Sequence, residues 1–263
     1  MIKHHGKKMF VGALLPAVVS AVLLIGQTSS AKTPVRIPQG AHLEVPAVSK
    51  GEIILTYLGF TVSYDTLRLI PKWVCYELTD SEVDGQTPRA RSFSMDLDFK
   101  GPQAMREDYS HSGWDKGHMA PAADMKWSPQ AMKESFYLTN VCPQDHSLNA
   151  GDWLELEKQV RIWAQQYSKL WVVCGPIIGE GRWGSIGERG VTVPDGFFKA
   201  CLFYDNGSYR SLAFVFPNSQ QQSHPLSYYL LSVNSLEAQT GIDFFPALPP
   251  SIEEMVESRC EMP

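Results

Sequence analysis

Asp115-Lys116-Gly117-His118 places a carboxylate, an ammonium and an imidazole around one glycine, in a stretch preceded by Arg106, Asp108 and His111. An imidazole titrates near neutrality, so a His beside an Asp can take a proton from water at physiological pH. Such a pair is equally at home as a surface or structural contact. A second polar cluster follows: Asn140-Val141-Cys142-Pro143-Gln144, then Asn149, Gly151-Asp152-Trp153, Glu157 and Arg161. On a helix starting near Asp152, Glu157 and Arg161 are i, i+4 and share one edge, with Asn149 just before the first turn. An amide, a carboxylate and a guanidinium then point toward one site, unless the last two only form a surface salt bridge.

The elements that must position these groups are readable from periodicity. Trp153, Leu156, Val160, Trp163, Ala164 and Tyr167 recur at spacings of three and four, which predicts an amphipathic helix from Asp152 to about Lys169. Ser128-Pro129 is an N-cap followed by proline at the first helical position and opens a short helix over 129–135. Ile53–Tyr57, Thr61–Tyr64, Trp73–Leu78, Tyr137–Cys142, Leu170–Cys174 and Phe197–Tyr204 read as strands, and Asp80–Ala90 as a loop. Asp205-Asn206-Gly207 before Leu212–Phe216 signals a hairpin, and Ile252–Arg259 a terminal helix. Strands from both halves with helices between them imply an α+β fold with a largely antiparallel central sheet and flanking helices.

Lys3, Lys7 and Lys8 precede an apolar run from Met9 to Gly26, and Ser29-Ser30-Ala31 offers small residues for cleavage. Residues 1–31 therefore read as a signal peptide, 32–50 as a proline-bearing arm and 51–263 as the folded domain. The destination expected on that reading is periplasmic or extracellular; an uncleaved anchor is the alternative. Removing the three Lys, with no acid beside them, takes the formal charge from −5 to −8. That argues against a protein living by phosphate contacts alone, but an enzyme needs only a locally positive cleft. Five Cys (75, 142, 174, 201 and 260) include no C-x-x-C, and buried thiols with one or two bridges are expected.

Together the two clusters resemble the DNA/RNA non-specific endonuclease family, the ββα-metal nucleases. The family's Asp-Arg-Gly-His followed by small residues is matched by Asp115-Lys116-Gly117-His118-Met119-Ala120-Pro121-Ala122-Ala123. Its second block is matched by Phe136-Tyr137-Leu138-Thr139-Asn140, Pro143-Gln144, Leu148-Asn149, Trp153, Leu156-Glu157 and Arg161. Weaker echoes bring the match to roughly residues 52–245. The resemblance implies a ββα-metal nuclease fold that hydrolyses DNA and RNA phosphodiesters to 5′-phosphate ends without reading base edges.

It also implies roles. His118 would be the general base and Asn149 the direct protein ligand to one Mg²⁺, or Mn²⁺ in its place. Glu157 would hold the ion's waters, and Arg161 and Arg91 would neutralise the scissile phosphate. Lys116 and Asn140 would bind substrate. Lys116 stands where the family has Arg, keeping the charge without the bidentate fork. Arg91 is preferred to Arg89 because Asp96 follows at the family's interval, and Asp115 is expected to brace rather than react. Trp114 and Trp127 could stack on bases or pack inside. A homodimer is compatible with the family.

Two other readings compete. One is a catalytically inactive relative that binds nucleic acid or protein, which the acidic charge disfavours. A zinc hydrolase needs a ligand cluster, and His118 and His146 lack the i, i+4 pairing of a zincin.

Overall fold

Antiparallel pairing organises the chain around one seven-stranded sheet whose strands, in spatial order, are Ile53–Thr56, Thr61–Asp65, Ile70–Thr79, Lys169–Ile177, Gly196–Asp205, Ser208–Pro217 and Leu230–Leu231. The computed structural model describes Met1 and residues 41–205, 207–219 and 223–263, within a compact unit that runs from Ile37 to Pro263. The expected signal peptide lies outside the described residues. No helix among them is long and apolar enough to cross a membrane.

The strands are β1 (Ile53–Thr56), β2 (Thr61–Asp65), β3 (Ile70–Thr79), β4 (Asp115–His118), β5 (Val141–Gln144), β6 (Lys169–Ile177), β7 (Ser185–Ile186), β8 (Val191–Thr192), β9 (Gly196–Asp205), β10 (Ser208–Pro217) and β11 (Leu230–Leu231). The helices are α1 (Asp80–Val83), α2 (Pro129–Ser135), α3 (His146–Asn149), α4 (Asp152–Tyr167), α5 (Val233–Thr240) and α6 (Pro250–Glu257). This is the α+β architecture expected from the sequence.

The sheet is buried on both faces, which is why β9 is buried from Gly196 to Phe203 and apolar there except for Lys199, rather than alternating. One core joins Phe197, Cys201 and Phe203 to Trp153, Leu156, Val160 and Trp163 of α4. The other joins Phe198, Ala200 and Leu202 to Val233 and Leu236 of α5 and Val256 of α6. Leu43, from the expected arm, is buried in this second core. All five cysteines are free thiols, four buried and Cys260 exposed, so the expected bridges are absent.

Two local expectations change. Tyr137–Cys142 is not one strand: Leu138–Asn140 is a 3-10 turn, and pairing begins only at Val141. The polar stretch after Asp80 opens with the short helix α1, capped reciprocally by Thr79 and Glu82. Elsewhere the expected elements appear within a few residues of their predicted bounds, including the β9–β10 hairpin with Ser208 opposite Asp205.

Trp153 fastens α4 to the sheet. It is fully buried, with its ring 5.7 Å from Phe197 and 5.8 Å from Phe216. Trp153→Ala removes a large buried ring and is expected to cost about 3–5 kcal/mol in urea unfolding. A loss below about 1 kcal/mol would mean that α4 is held elsewhere.

Candidate active site

β4 and β5 form a two-stranded antiparallel ribbon, with Asp115 opposite Gln144 and His118 opposite Val141. Gly117 is required in this ribbon because a Cβ there would lie 2.1 Å from Oε1 of the fully buried Gln144. After β5 the chain turns through α3 and enters α4, so Asn149 and Glu157 arrive beside the strand that ends in His118. The result is a cleft of about 480 Å³ whose walls include Arg89, Asp115, Lys116, His118, Asn149 and Glu157.

His118 is wedged between Phe93 and Phe136, each with its ring centre 4.8 Å away. Its Nε2 is buried without a hydrogen-bond partner, which leaves Nδ1 as the nitrogen able to meet water. Burial, reinforced by the Arg89 charge, pushes the imidazole down to about 3. The ring is therefore neutral at physiological pH and carries a lone pair.

Asp115 braces, as expected. Its Oδ2 accepts from Asn149 Nδ2 at 2.8 Å and faces Nδ1 of the exposed His146, also at 2.8 Å. With its amide nitrogen so engaged, Asn149 has its carbonyl oxygen free to accept or ligate. Glu157 has no hydrogen-bond partner among the described residues, and burial raises its carboxyl to about 7 against the opposing pull of Lys199. Two oxygen donors, with no cluster of three His, Cys, Asp or Glu among the described residues, fit a hard divalent cation that keeps most of its water. They do not fit a closed soft-metal site.

Three expected residues fall elsewhere. Asn140 is fully buried and its amide is fully used: Nδ2 donates to Ala120 O and Ser135 O, and Oδ1 accepts from Ala120 N, at 2.8–2.9 Å. It cannot bind substrate; it fixes the turn just after His118. Arg91 lies outside the cleft lining, whereas Arg89, exposed like Arg91, lines the cleft with its guanidinium 5.2 Å from the Phe136 ring centre. Arg161 pairs not with Glu157 but with the fully buried Asp124, at 2.8 Å, and lies outside the lining.

Asp124, which also accepts from Tyr76 Oη at 2.9 Å, was not singled out in the sequence. Its position directly after His118–Ala123 was the available signal. Lys116 does line the cleft, with its Nζ 5.1 Å from the Tyr109 ring centre. Trp114 lines it too, while Trp127 packs against the core near Gly59.

A two-stranded ribbon followed by a helix, with an imidazole at the strand's end and an amide at the helix's start, defines the ββα-metal nuclease fold. The chain belongs to the DNA/RNA non-specific endonuclease family, whose family model matches residues 39–251. This is a family of divalent-metal-dependent nucleases.

Among relatives, a mitochondrial nuclease EXOG of Danio rerio is 38% identical over 73% of this chain and 60% of its own length. The chain thus spans less than two thirds of that relative. Mitochondrial endonuclease G of Bos taurus is 36% identical over 72% of this chain and 67% of its own. A nuclease of a Nostoc species is 29% identical over 92% and 87%. A crystal structure of an EndoG/EndoGI complex, concerned with EndoG inhibition, superposes with a TM-score of 0.73 at 26% identity, covering 80% of this chain and 91% of that one.

The EXOG and endonuclease G relatives correct the expected destination. They are mitochondrial proteins, which argues against the periplasmic or extracellular location read from residues 1–31. A Lys-bearing, acid-free N-terminus is common to export signals and mitochondrial leaders, so the lysines, the apolar run and the small residues after it do not by themselves fix the destination.

Two outcomes are expected. Asn140→Ala leaves three buried backbone groups unpaired and should cost about 3 kcal/mol or more, read as a Tm drop of roughly 6–12 °C; Asn140→Asp, which cannot donate, should not restore it. In histidine NMR of the metal-free protein, His118 should not titrate between pH 5 and 8. The unfolded imidazole takes its proton near 6.5 and the folded one only near 3, so stability falls as pH drops through that window. A His118 midpoint near 6.5 would show the ring to be hydrated rather than buried.

Proposed function

We propose that this protein is a divalent-metal-dependent endonuclease that hydrolyses phosphodiester bonds of DNA and RNA to 5′-phosphate ends. The observation that carries the reading is a neutral imidazole facing a cleft that also holds an amide oxygen and a free carboxylate.

His118 Nδ1 takes a proton from water as that water's oxygen attacks phosphorus; the P–O3′ bond breaks, and the leaving 3′ oxygen acquires a proton from solvent. Asn149, as the direct ligand, and Glu157, through water, are the residues that would hold the cation. Mg²⁺ is the ion this donor set suits best. When bound, it stabilises negative charge on the phosphate and the leaving oxygen.

Lys116 and Arg89 neutralise the phosphate from the cleft wall, with Arg91 two residues beyond. Arg161 acts at one remove: held by Asp124, it sets the charge around Glu157, which feels Asp124, Arg161 and Arg89. These contacts address the backbone rather than base edges, so neither sequence nor sugar is read.

Cleavage of supercoiled plasmid and of RNA with Mg²⁺ tests the proposal. EDTA or His118→Ala should abolish cutting, the latter by a factor of 10² or more. Arg89→Ala should lose about tenfold or more and Arg91→Ala distinctly less; the reverse ranking returns the phosphate contact to Arg91. A folded wild-type protein that cuts neither nucleic acid with any divalent metal would be an inactive binder.

A further inference from the structure

The cleft carries an aromatic feature that cleavage chemistry does not require. Trp114, just before β4, lines the cleft. Trp183, on the loop between β6 and β7, meets it with ring centres 5.6 Å apart and planes at 65°. The T-shaped contact sets the edge of one ring against a face of the other, so each ring keeps at least one face outside that contact. Arg182 is exposed, and its guanidinium lies 4.8 Å from the centre of the Trp183 ring. Both tryptophans are only partly buried.

The loop that presents Trp183 is held in shape. Asp195 accepts backbone hydrogen bonds from Gly181 at 3.1 Å and Arg182 at 3.0 Å, one on each carboxylate oxygen. Gly181 and Gly184 take positive φ, which permits the tight turn between them. Beside Asp195, the buried Asn218 donates to Pro194 O at 2.9 Å and to Pro143 O of β5 at 3.1 Å, tying the base of the loop to the catalytic ribbon. The position of Trp183 relative to His118 is therefore set before any substrate arrives, and little ordering entropy is lost when a ring stacks on it.

We propose that Trp114, Trp183 and Arg182 form a stacking platform for the nucleobase adjoining the scissile phosphate, and that the platform selects unpaired strands. Aromatic faces next to a guanidinium accept any base, because every base has a π-face, and this suits a protein that reads no sequence. A base within a duplex has both faces covered by its neighbours and reaches the platform only by leaving the stack. Single-stranded DNA or RNA, or a locally opened duplex, is thus the substrate form the cleft is shaped to hold. The inference rests on the nuclease reading above, since it assigns the platform to a neighbour of the cleaved bond.

The test is binding of a short fluorescein-labelled oligodeoxythymidylate in EDTA, beside a hairpin duplex with the same label, by anisotropy and tryptophan emission. Trp183→Ala should weaken single-strand binding about tenfold, Trp183→Phe by no more than about threefold, and duplex binding should change less. Tyr204→Ala, an exposed aromatic on β9, serves as the control. In turnover, the Trp183→Ala loss should sit in KM rather than kcat.

Equal affinity of Trp183→Ala and parent overturns the platform, as does an equal loss on duplex and single strand. Should Trp183→Ala not fold, single-strand binding by the parent without quenching of its tryptophan emission overturns it instead. A parent that binds through Trp183 but cleaves nothing sinks the nuclease reading alone; one that cleaves with Trp183→Ala indistinguishable sinks only the platform.

Discussion

The register of β4 against β5 sets how His118 and Asn149 come to share one cleft. His118 and Asn149 lie on separate segments, and neither has a direct bond to the other. They are brought together because Asp115 pairs opposite Gln144 and His118 opposite Val141, so the strand that ends in the imidazole runs back along the one that feeds Asn149. A slip of one residue would turn the imidazole to the other face. Several features guard against this. Gly117 admits Gln144 beneath it, Asn140 saturates the backbone of Ala120, and Asp115 takes hold of Asn149 across the ribbon.

Behind this ribbon the interior is unusually charged. Lys199 is fully buried on β9, without a hydrogen-bond partner among the described residues, its Nζ 4.6 Å from the Trp153 ring centre. Asp124 is fully buried between Tyr76 and Arg161. Burying charge is costly, and Asp124 meets that cost with Arg161 and Tyr76. Here the field converges on Glu157: Lys199, Arg161 and Arg89 favour its ionised form, while burial and Asp124 oppose it. The carboxylate is left near balance, responsive to any cation that enters the cleft.

Much of this was legible in the sequence, and what was missed has physical causes. α4 could be read because its apolar stripe obeys a period of 3.6, and α2 because Ser128-Pro129 is a strong helix start; Ser128 Oγ indeed accepts from the amides of Gln130 and Ala131. Asp115, Lys116, His118, Asn149 and Glu157 line one cleft because local geometry, strand end and helix start, dictates it. Side-chain aim was not legible. Arg89 and Arg91 differ by two residues in a segment without regular pairing, and only packing against Phe136 brings Arg89 in. Asn140 resembles a polar site residue until its three backbone partners are counted. Arg161 and Glu157 satisfy the i, i+4 rule, yet a buried Asp124 outcompetes the expected partner. Tyr137–Cys142 has strand composition, but the backbone must turn there before β5 can reach β4.

The free thiols carry a consequence of their own. Cys75, Cys142, Cys174 and Cys201 are buried in the two cores and act as small apolar side chains, their ionisation opposed by burial. No covalent cross-link contributes to the fold, so the same structure is reached whether the surroundings are reducing or oxidising. Maturation needs neither an oxidant nor an isomerase, and a reductant leaves the catalytic ribbon untouched. Cys260, exposed near the C-terminus, is the one position where thiol chemistry could mark the protein without entering its core.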